Sequence, residues 1–106
     1  VLDQATLQDR SAPTLTAIAT YLKANPGKRF YVVGHTDSVG TFAYNSKLSA
    51  DRARAVVSAL TGQHDIPTTQ IEPHGVGPLA PRYSNGNEAG REKNRRVELV
   101  ERQRSE

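Results

Sequence analysis

Hydrophobic residues recur at helical spacing in two segments of the chain. In the first segment, Ser11 is a candidate N-cap and Pro13 suits the first turn of a helix. The apolar positions that follow lie at i, i+3, i+4 and i+7, so they form one stripe along a helix. They are Leu15, Ile18, Ala19 and Leu22. The sequence Asn25-Pro26-Gly27 predicts that this helix ends there.

The second segment has the same spacing and clearer end signals. Ser49 is the candidate N-cap, Asp51 lies in the predicted first turn, and Gly62 follows the last apolar position. The stripe consists of Ala53, Val56, Val57 and Leu60. We therefore predict a second helix that begins after Ser49.

Strand character appears in three other segments. Residues 29–34 are aromatic and β-branched and end at a glycine, which predicts a largely buried strand. Residues 95–101 alternate apolar and charged side chains, as is typical of a half-buried strand. Residues 66–72 are predicted to hold a short strand. Residues 73–90 contain three prolines and four glycines, which predicts a long surface loop.

Helices and strands alternate along a chain of 106 residues without an internal repeat or a linker. This order predicts one domain, residues 1–106, with an α/β fold. We expect a two-layer sandwich in which two main helices pack on one face of a small mixed β-sheet. Residues 2–8 are ambiguous, and residues 103–106 are expected to fray.

Composition narrows the range of functions. The chain has no cysteine, which excludes disulfides and thiolate chemistry, and no apolar run of the roughly 18 residues that a membrane span needs. The absence of methionine indicates a piece cut from a longer precursor. The net charge is +3, and basic residues concentrate between Arg91 and Arg96. This balance permits nucleic acid or another anionic polymer as a partner.

Asp37 is the first candidate for binding chemistry. It follows the predicted strand that ends at Gly34, and polar side chains at the carboxyl end of a strand are where α/β folds keep ligand sites. The alternative is that the carboxylate only caps the following turn through its own backbone.

Arg52 is the second candidate. It falls three residues after Ser49, where a predicted helix N-terminus and a guanidinium would together form a pocket for a carboxylate or phosphate. A cation at the N-terminal end of a helix lowers the stability of the helix by about 0.3 to 1 kcal/mol. The presence of Arg52 at that position therefore favours a role in binding a ligand or an acidic partner. A structural ion pair with Asp37 or Asp51 is an equally good reading of the residues.

Other chemistries lack support in the sequence. His35, His64 and His74 suggest a metal, but no paired histidines or acidic cluster accompany them, so no metal site is predicted. No Gly-x-Ser-x-Gly motif occurs, and a glycine pair at residues 75–77 runs into Pro78, which cannot donate an N–H group to a phosphate. We therefore predict no catalytic residues and no cofactor.

An ordered set of motifs runs from about Leu2 to Val100. In chain order the motifs are Gly34-His35-Thr36-Asp37, Gly40, Asn45, Leu48-Ser49, Arg52-Ala53, Gly75-Val76-Gly77, Pro81, Gly90-Arg91 and Asn94-Arg95-Arg96-Val97. This set resembles the OmpA-like peptidoglycan-binding domain. That domain is the C-terminal domain of outer membrane protein A and is shared with the peptidoglycan-associated lipoprotein and the flagellar stator protein MotB.

The resemblance implies a domain that binds Gram-negative peptidoglycan through the free zwitterionic end of diaminopimelate in the stem peptide. The principal ligands of the family are the Asp of Gly-His-Thr-Asp and the Arg of Leu-Ser-x-x-Arg-Ala, which correspond to Asp37 and Arg52. An ammonium group needs a carboxylate and a carboxylate needs a guanidinium, so this implication agrees with the chemistry of both residues. The rest of the expected ligand-binding set lines or supports the site: Thr36, Asn45, Ser49 and Arg95.

The resemblance also implies a non-catalytic anchor in the periplasm, attached to the outer membrane through a part of the protein that precedes this chain. We expect no nucleic-acid partner, because no aromatic residues are interleaved with the basic ones, and no membrane insertion of this domain, because it has no apolar run of sufficient length. Other envelope proteins are candidate partners. The first strand of the family is expected to be absent, because no strand-like segment precedes Leu2. The alternative function is a basic nucleic-acid-binding module that uses the region from Arg91 to Arg96.

Overall fold

The computed structural model describes residues 4–7 and 12–102. Its elements are β1 (Gln4–Leu7), α1 (Ala12–Ala24), β2 (Phe30–Gly34), α2 (Phe42–Gln63), β3 (Ile71–Gly75), α3 (Glu88–Asn94) and β4 (Val97–Glu101). The strands form one mixed sheet of order β1-β4-β2-β3, in which β2 and β3 are parallel and the other pairs are antiparallel. The candidate cap Ser11 and the frayed end predicted at 103–106 lie outside the described residues.

The two long helices bury their apolar stripes in one core on one face of the sheet. The buried hydrophobic residues come from α1, α2, β2, β3 and β4 and from the segment before β3. They are Leu15, Ala19, Leu22, Phe30, Val32, Ala53, Val56, Leu60, Ile66, Ile71, Val97 and Leu99. Each large side chain among them contributes about 1.5 to 3 kcal/mol through burial. The predicted two-layer α/β sandwich is confirmed.

No helix within the described ranges has both the length and the hydropathy of a membrane span.

The backbone of α2 lies directly against the carboxyl ends of the two parallel strands. A Cβ atom on Gly34 would lie 2.0 Å from the Ser49 carbonyl oxygen, and one on Gly75 would lie 2.3 Å from the Ala50 nitrogen. No larger residue fits at either position without movement of backbone. The two glycines therefore set the distance between the helix and the sheet.

The start of α2 differs from the prediction. The helix begins at Phe42, and Thr41 is its N-cap, with a side chain that accepts a hydrogen bond of 3.1 Å from the Tyr44 N–H group. Ser49 is therefore not a cap but a buried residue inside the helix. The apolar stripe misled the prediction because the first turns of α2 bury the polar side chains of Asn45 and Ser49 instead of hydrophobic ones.

The region before β4 also differs from the prediction. The strand predicted at 66–72 lies at Ile71–Gly75, and the predicted loop at 73–90 contains the end of that strand and the start of α3. The N-cap of α3 is Asn87, whose side chain accepts a hydrogen bond of 2.7 Å from the Gly90 N–H group. A helix of 7 residues without an apolar stripe has no periodicity to reveal it.

A single buried amide organises the loop before α3. The Asn94 Oδ1 atom accepts hydrogen bonds from the Arg82 and Tyr83 N–H groups at 3.0 and 3.1 Å. Its Nδ2 atom donates to the Tyr83 carbonyl and to Asn85 Oδ1, both at 2.9 Å. Because the buried amide uses both of its polar atoms on the loop, it holds a segment that has no regular structure of its own.

An N-terminal strand is present, contrary to the expectation that it would be absent. Residues Gln4–Leu7 pair antiparallel with β4 in a register that places Leu7 opposite Val97. The strand lies inside the ambiguous segment 2–8. Four residues are too few for the alternation of apolar and polar positions to identify a strand.

The close approach at Gly34 leads to the first prediction. Gly34→Ala should lower the free energy of unfolding by about 1 to 3 kcal/mol, because the added methyl group must displace the α2 backbone. Gly27→Ala is the matched control, since a Cβ there would meet no atom within 4 Å. Equal stability of the two variants in chemical denaturation would contradict the close packing of α2 against Gly34.

Candidate ligand-binding site

Asp37 lies in the turn that connects β2 to α2 and is buried. Its Oδ1 atom accepts a hydrogen bond of 3.0 Å from the Val39 N–H group, and its Oδ2 atom accepts one of 2.5 Å from Arg95 Nη1. Burial alone would raise the pKa of Asp37, but the hydrogen bonds from Arg95 and Val39 outweigh burial and lower it. The side chain therefore caps its own turn, as the alternative from the sequence proposed, and is also held as a carboxylate anion.

Arg95 connects Asp37 to the surface of the molecule. It is the C-cap of α3, and its Nη2 atom donates a hydrogen bond of 2.8 Å to Glu88 Oε2. The other oxygen of Glu88 accepts a hydrogen bond of 3.2 Å from Arg91 Nε. The hydrogen bonds to Glu88 and Asp37 raise the pKa of Arg95, and those from Arg95 and Arg91 lower the pKa of Glu88. The four side chains thus form one ion chain of alternating charge, Asp37-Arg95-Glu88-Arg91.

Asn45 and Thr36 hold the turn that carries Asp37. The Asn45 Nδ2 atom donates a hydrogen bond of 2.8 Å to the Val39 carbonyl, which fixes the turn against the first turn of α2. The Thr36 hydroxyl donates one of 2.9 Å to the Asp37 carbonyl. Both side chains are buried, so their hydrogen bonds serve the backbone of the turn.

Ser49 connects α2 to the loop after β3. Its hydroxyl donates a hydrogen bond of 2.8 Å to the Ser46 carbonyl and accepts one of 2.9 Å from the Gly77 N–H group. The Gly77 carbonyl in turn accepts a hydrogen bond of 3.0 Å from the Thr36 N–H group. Gly77 therefore joins Ser49 to the segment that carries Asp37.

Arg52 is half-buried within α2, three residues after Ser49, so it shares a face of the helix with Ser49. It does not lie in a first turn, because the helix begins ten residues earlier at Phe42. The prediction of a pocket of exposed helical N–H groups around Arg52 and Ser49 is therefore wrong. The N–H groups at that point of the helix are used within it.

The carboxylates considered as partners of Arg52 contact other cations. Asp51 pairs with Lys47 at 2.9 Å and with Arg54, and Asp37 pairs with Arg95. The sequence contained no local signal for the pairing of Asp37 with Arg95, because these residues are 58 positions apart.

A buried charge cluster that the sequence analysis missed lies beside the site. Glu98 Oε1 is 2.8 Å from His35 Nε2, and Glu98 Oε2 is 3.4 Å from Arg96 Nε and 3.3 Å from Arg82 Nη1. The alternation over residues 95–101 predicted a half-buried strand with Arg96 and Glu98 on its polar face, but both residues are buried. Arg96 also donates a hydrogen bond of 3.0 Å to the Ala80 carbonyl, so the loop before α3 covers this end of the sheet.

The cluster sets the charge state of His35. Burial, with Arg96 nearby, lowers the pKa of His35, and Glu98 opposes this shift only in part. Burial would raise the pKa of Glu98, but Arg96 and His35 lower it. A neutral His35 that donates from Nε2 to Glu98 leaves Nδ1 unprotonated, and Nδ1 has no hydrogen-bond partner in the described part of the chain.

The histidines do not form a metal centre. His35 contacts Glu98 and His74 contacts Glu72. Across residues 4–7 and 12–102, no group of three or more histidine, aspartate or glutamate side chains could hold a metal ion.

The basic region between Arg91 and Arg96 is largely used inside the molecule. Arg91 and Arg95 pair with Glu88, Arg95 also pairs with Asp37, and Arg96 is buried. Lys93 lies over the ring of Tyr83, 5.0 Å from its centroid. The charges that suggested an anionic polymer as partner therefore already have contacts within the fold.

Comparisons with known proteins agree with the motifs. The sequence model of the OmpA family matches residues 2–95 of this chain. The chain is 42% identical over 96 residues to the probable lipoprotein YiaD of Escherichia coli strain K12, covering 91% of this chain and 43% of that protein. It is 36% identical over 98 residues to the peptidoglycan-associated lipoprotein of Legionella pneumophila, covering 92% of this chain and 55% of that protein. The chain thus spans about half the length of these two relatives.

The fold is also similar to a solved structure. The crystal structure of the peptidoglycan-associated lipoprotein from Burkholderia pseudomallei matches with a TM-score of 0.81 and 29% identity. The match covers 92% of this chain and 89% of that one.

The burial of His35 predicts acid sensitivity. An unfolded histidine titrates near pH 6.5, whereas folding lowers the pKa of His35, so the unfolded chain binds more protons as the pH falls below about 6.5. Stability should therefore fall between pH 7 and pH 5, with a slope from this group of at most about 1.4 kcal/mol per pH unit. Denaturation across this range should show a flatter slope for His35→Gln, whose amide can still donate to Glu98. His74→Gln is the control, and an unchanged slope in His35→Gln would contradict the prediction.

Proposed function

The chain belongs to the OmpA family, and from this premise we propose that it binds peptidoglycan without catalysis and anchors an envelope protein to the cell wall. The relatives that carry peptidoglycan association in their names support this proposal. So does a site made of charged side chains, since no group of residues that could hold a metal ion occurs in the part of the chain that the structure describes. Within the proposal, the domain works in the periplasm as part of an outer-membrane protein.

The observation that carries the proposal is the carboxylate of Asp37 at the carboxyl end of β2, held by the Val39 N–H group and Arg95. We propose that it binds the ammonium group of diaminopimelate at the free end of a stem peptide. A carboxylate has about four lone-pair sites. The Val39 N–H group and Arg95 use one each, so the anion retains acceptor capacity for an ammonium group.

Arg52 is proposed to bind the carboxylate of the same zwitterionic end. A guanidinium offers two parallel N–H groups that match a carboxylate, and it stays charged at every relevant pH. The remaining predicted site residues support the segment that carries Asp37, because each of them contacts backbone or Asp37 itself. These residues are Thr36, Asn45, Ser49 and Arg95.

The two site residues can be tested by binding to purified sacculi. Asp37→Asn and Arg52→Gln should each weaken retention on diaminopimelate-containing sacculi by about ten- to a hundred-fold, the cost of a lost charge-assisted hydrogen bond. Arg54→Gln is the matched control, because Arg54 lies on the same helix and pairs with exposed Asp51. Sacculi with lysine in place of diaminopimelate test the finer specificity. Wild-type retention in both site variants would contradict the assignment.

Salt dependence separates this proposal from the nucleic-acid alternative. A zwitterion in a local pocket releases few counterions, so binding of a soluble diaminopimelate muropeptide should change little with salt. Binding to duplex DNA should be weak and should fall steeply, since log K decreases by about 0.9 per phosphate contact for each tenfold increase in salt. Tight DNA binding at physiological salt without a muropeptide signal would favour the alternative.

A further inference from the structure

The Asp37 carboxylate, which is proposed to bind the ammonium group of the ligand, already pairs with the cation of Arg95. The contact of 2.5 Å between Arg95 Nη1 and Asp37 Oδ2 places a guanidinium where a ligand cation would bind. Asp37 and Arg95 together carry no net charge, so an approaching ammonium group is attracted less than by a lone carboxylate. Lone pairs of Asp37 remain free, but an ammonium group that used them would lie beside the like charge of Arg95. A ligand amine must therefore share Asp37 against this repulsion or replace Arg95.

Glu88 gives Arg95 a second place to bind. The Asp37 side chain is 11% exposed, that of Arg95 33% and that of Glu88 67%, so the pairs run from the interior to the solvent. Arg91 holds the far oxygen of Glu88 at 3.2 Å, which keeps the near oxygen directed at Arg95. If Arg95 leaves Asp37, its guanidinium still has a carboxylate at 2.8 Å. Without Glu88, the same movement would leave a partly buried cation without its ion pair, which is costly.

We propose that Arg95 and Glu88 form a specificity-determining pair for ligands with a free amine. Arg95 occupies Asp37 until an ammonium group replaces it, and Glu88 retains the displaced guanidinium. A ligand without a free amine cannot release Arg95, so it gains nothing from Asp37. This inference rests on the proposed function and adds Glu88, which does not contact the ligand, to the residues that control affinity.

We call this replacement of Arg95 by the ligand's ammonium group the exchange. It predicts that substitutions of Glu88 and of Arg95, which form one ion pair, change ligand affinity in opposite directions. Glu88→Gln leaves Arg95 a neutral amide oxygen in place of its second carboxylate, so Arg95 stays on Asp37 and binding of an amine ligand becomes weaker. Arg95→Gln removes the competing cation, so binding of the same ligand becomes tighter. An ion pair that only supported the structure would weaken binding in both variants.

Isothermal titration with a soluble diaminopimelate muropeptide tests the exchange. We expect Glu88→Gln to weaken binding and Arg95→Gln to tighten it, each by about two- to five-fold, the range for partly exposed ion pairs. Glu101→Gln is the control for loss of one negative charge, since Glu101 pairs with Lys28 at the opposite end of β4. Glu88 is exposed, so its variant should fold, and thermal unfolding checks Arg95→Gln.

The same muropeptide acetylated on its free amine completes the experiment. It should bind the wild type more weakly and should not respond to Glu88→Gln. Changes of the same sign in both variants, or no difference between Glu88→Gln and Glu101→Gln, would overturn the exchange while leaving the proposed function intact. A wild type that binds neither the muropeptide nor sacculi would instead refute the proposed function, and the exchange with it.

Discussion

The contact between the backbone of α2 and the ends of β2 and β3 is the constraint on which the rest of the structure depends. Gly34 and Gly75 allow the helix to touch the sheet at Ser49 and Ala50. This contact brings the Ser49 hydroxyl within hydrogen-bonding distance of the loop after β3. The turn that carries Asp37 is then held between the strand that precedes it and the helix that follows it. A functional group in such a turn is held by the hydrogen bonds of Asn45 with the Val39 carbonyl and of the Thr36 N–H group with the Gly77 carbonyl.

Two groups of charges meet at this end of the sheet, and the backbone keeps them separate. Arg95 pairs with Asp37 in the candidate site, whereas the next residue, Arg96, pairs with buried Glu98. The His35 N–H group donates a hydrogen bond of 2.8 Å to the Arg96 carbonyl, which extends the pairing of β2 and β4 beyond the strands themselves. Buried ion pairs add little net stability, but loss of one partner costs about 3 to 5 kcal/mol. The Glu98 cluster therefore favours one arrangement of the strand ends, and with it the position of Asp37 opposite Arg95.

This arrangement suits recognition at short range. The net charge of +3 is modest, and much of the basic region before β4 is paired or buried. Long-range attraction to an anionic polymer is correspondingly weak. A site that balances a carboxylate against guanidinium groups is suited to a ligand that itself carries both charges, as proposed for the peptidoglycan stem peptide.

The sequence alone was sufficient to predict the helices and strands whose signals lie within the element itself. The apolar stripe that begins at Leu15 predicted α1, and the β-branched run that ends at Gly34 predicted β2 and the position of Asp37 after it. These signals work because helix and strand periods repeat within a few residues.

Only the tertiary structure determined what depends on distant partners. The first turns of α2 bury Asn45 and Ser49 because the Val39 carbonyl and the Gly77 N–H group meet them there, so the stripe of apolar residues could not mark the start of the helix. Over residues 95–101, the alternation placed Arg96 and Glu98 on the face of the strand opposite Val97 and Leu99 but contained no information on the loop that covers that face. The ion pair between Asp37 and Arg95 spans 58 residues, and a contact at that separation forms only when the sheet brings the ends of β2 and β4 together.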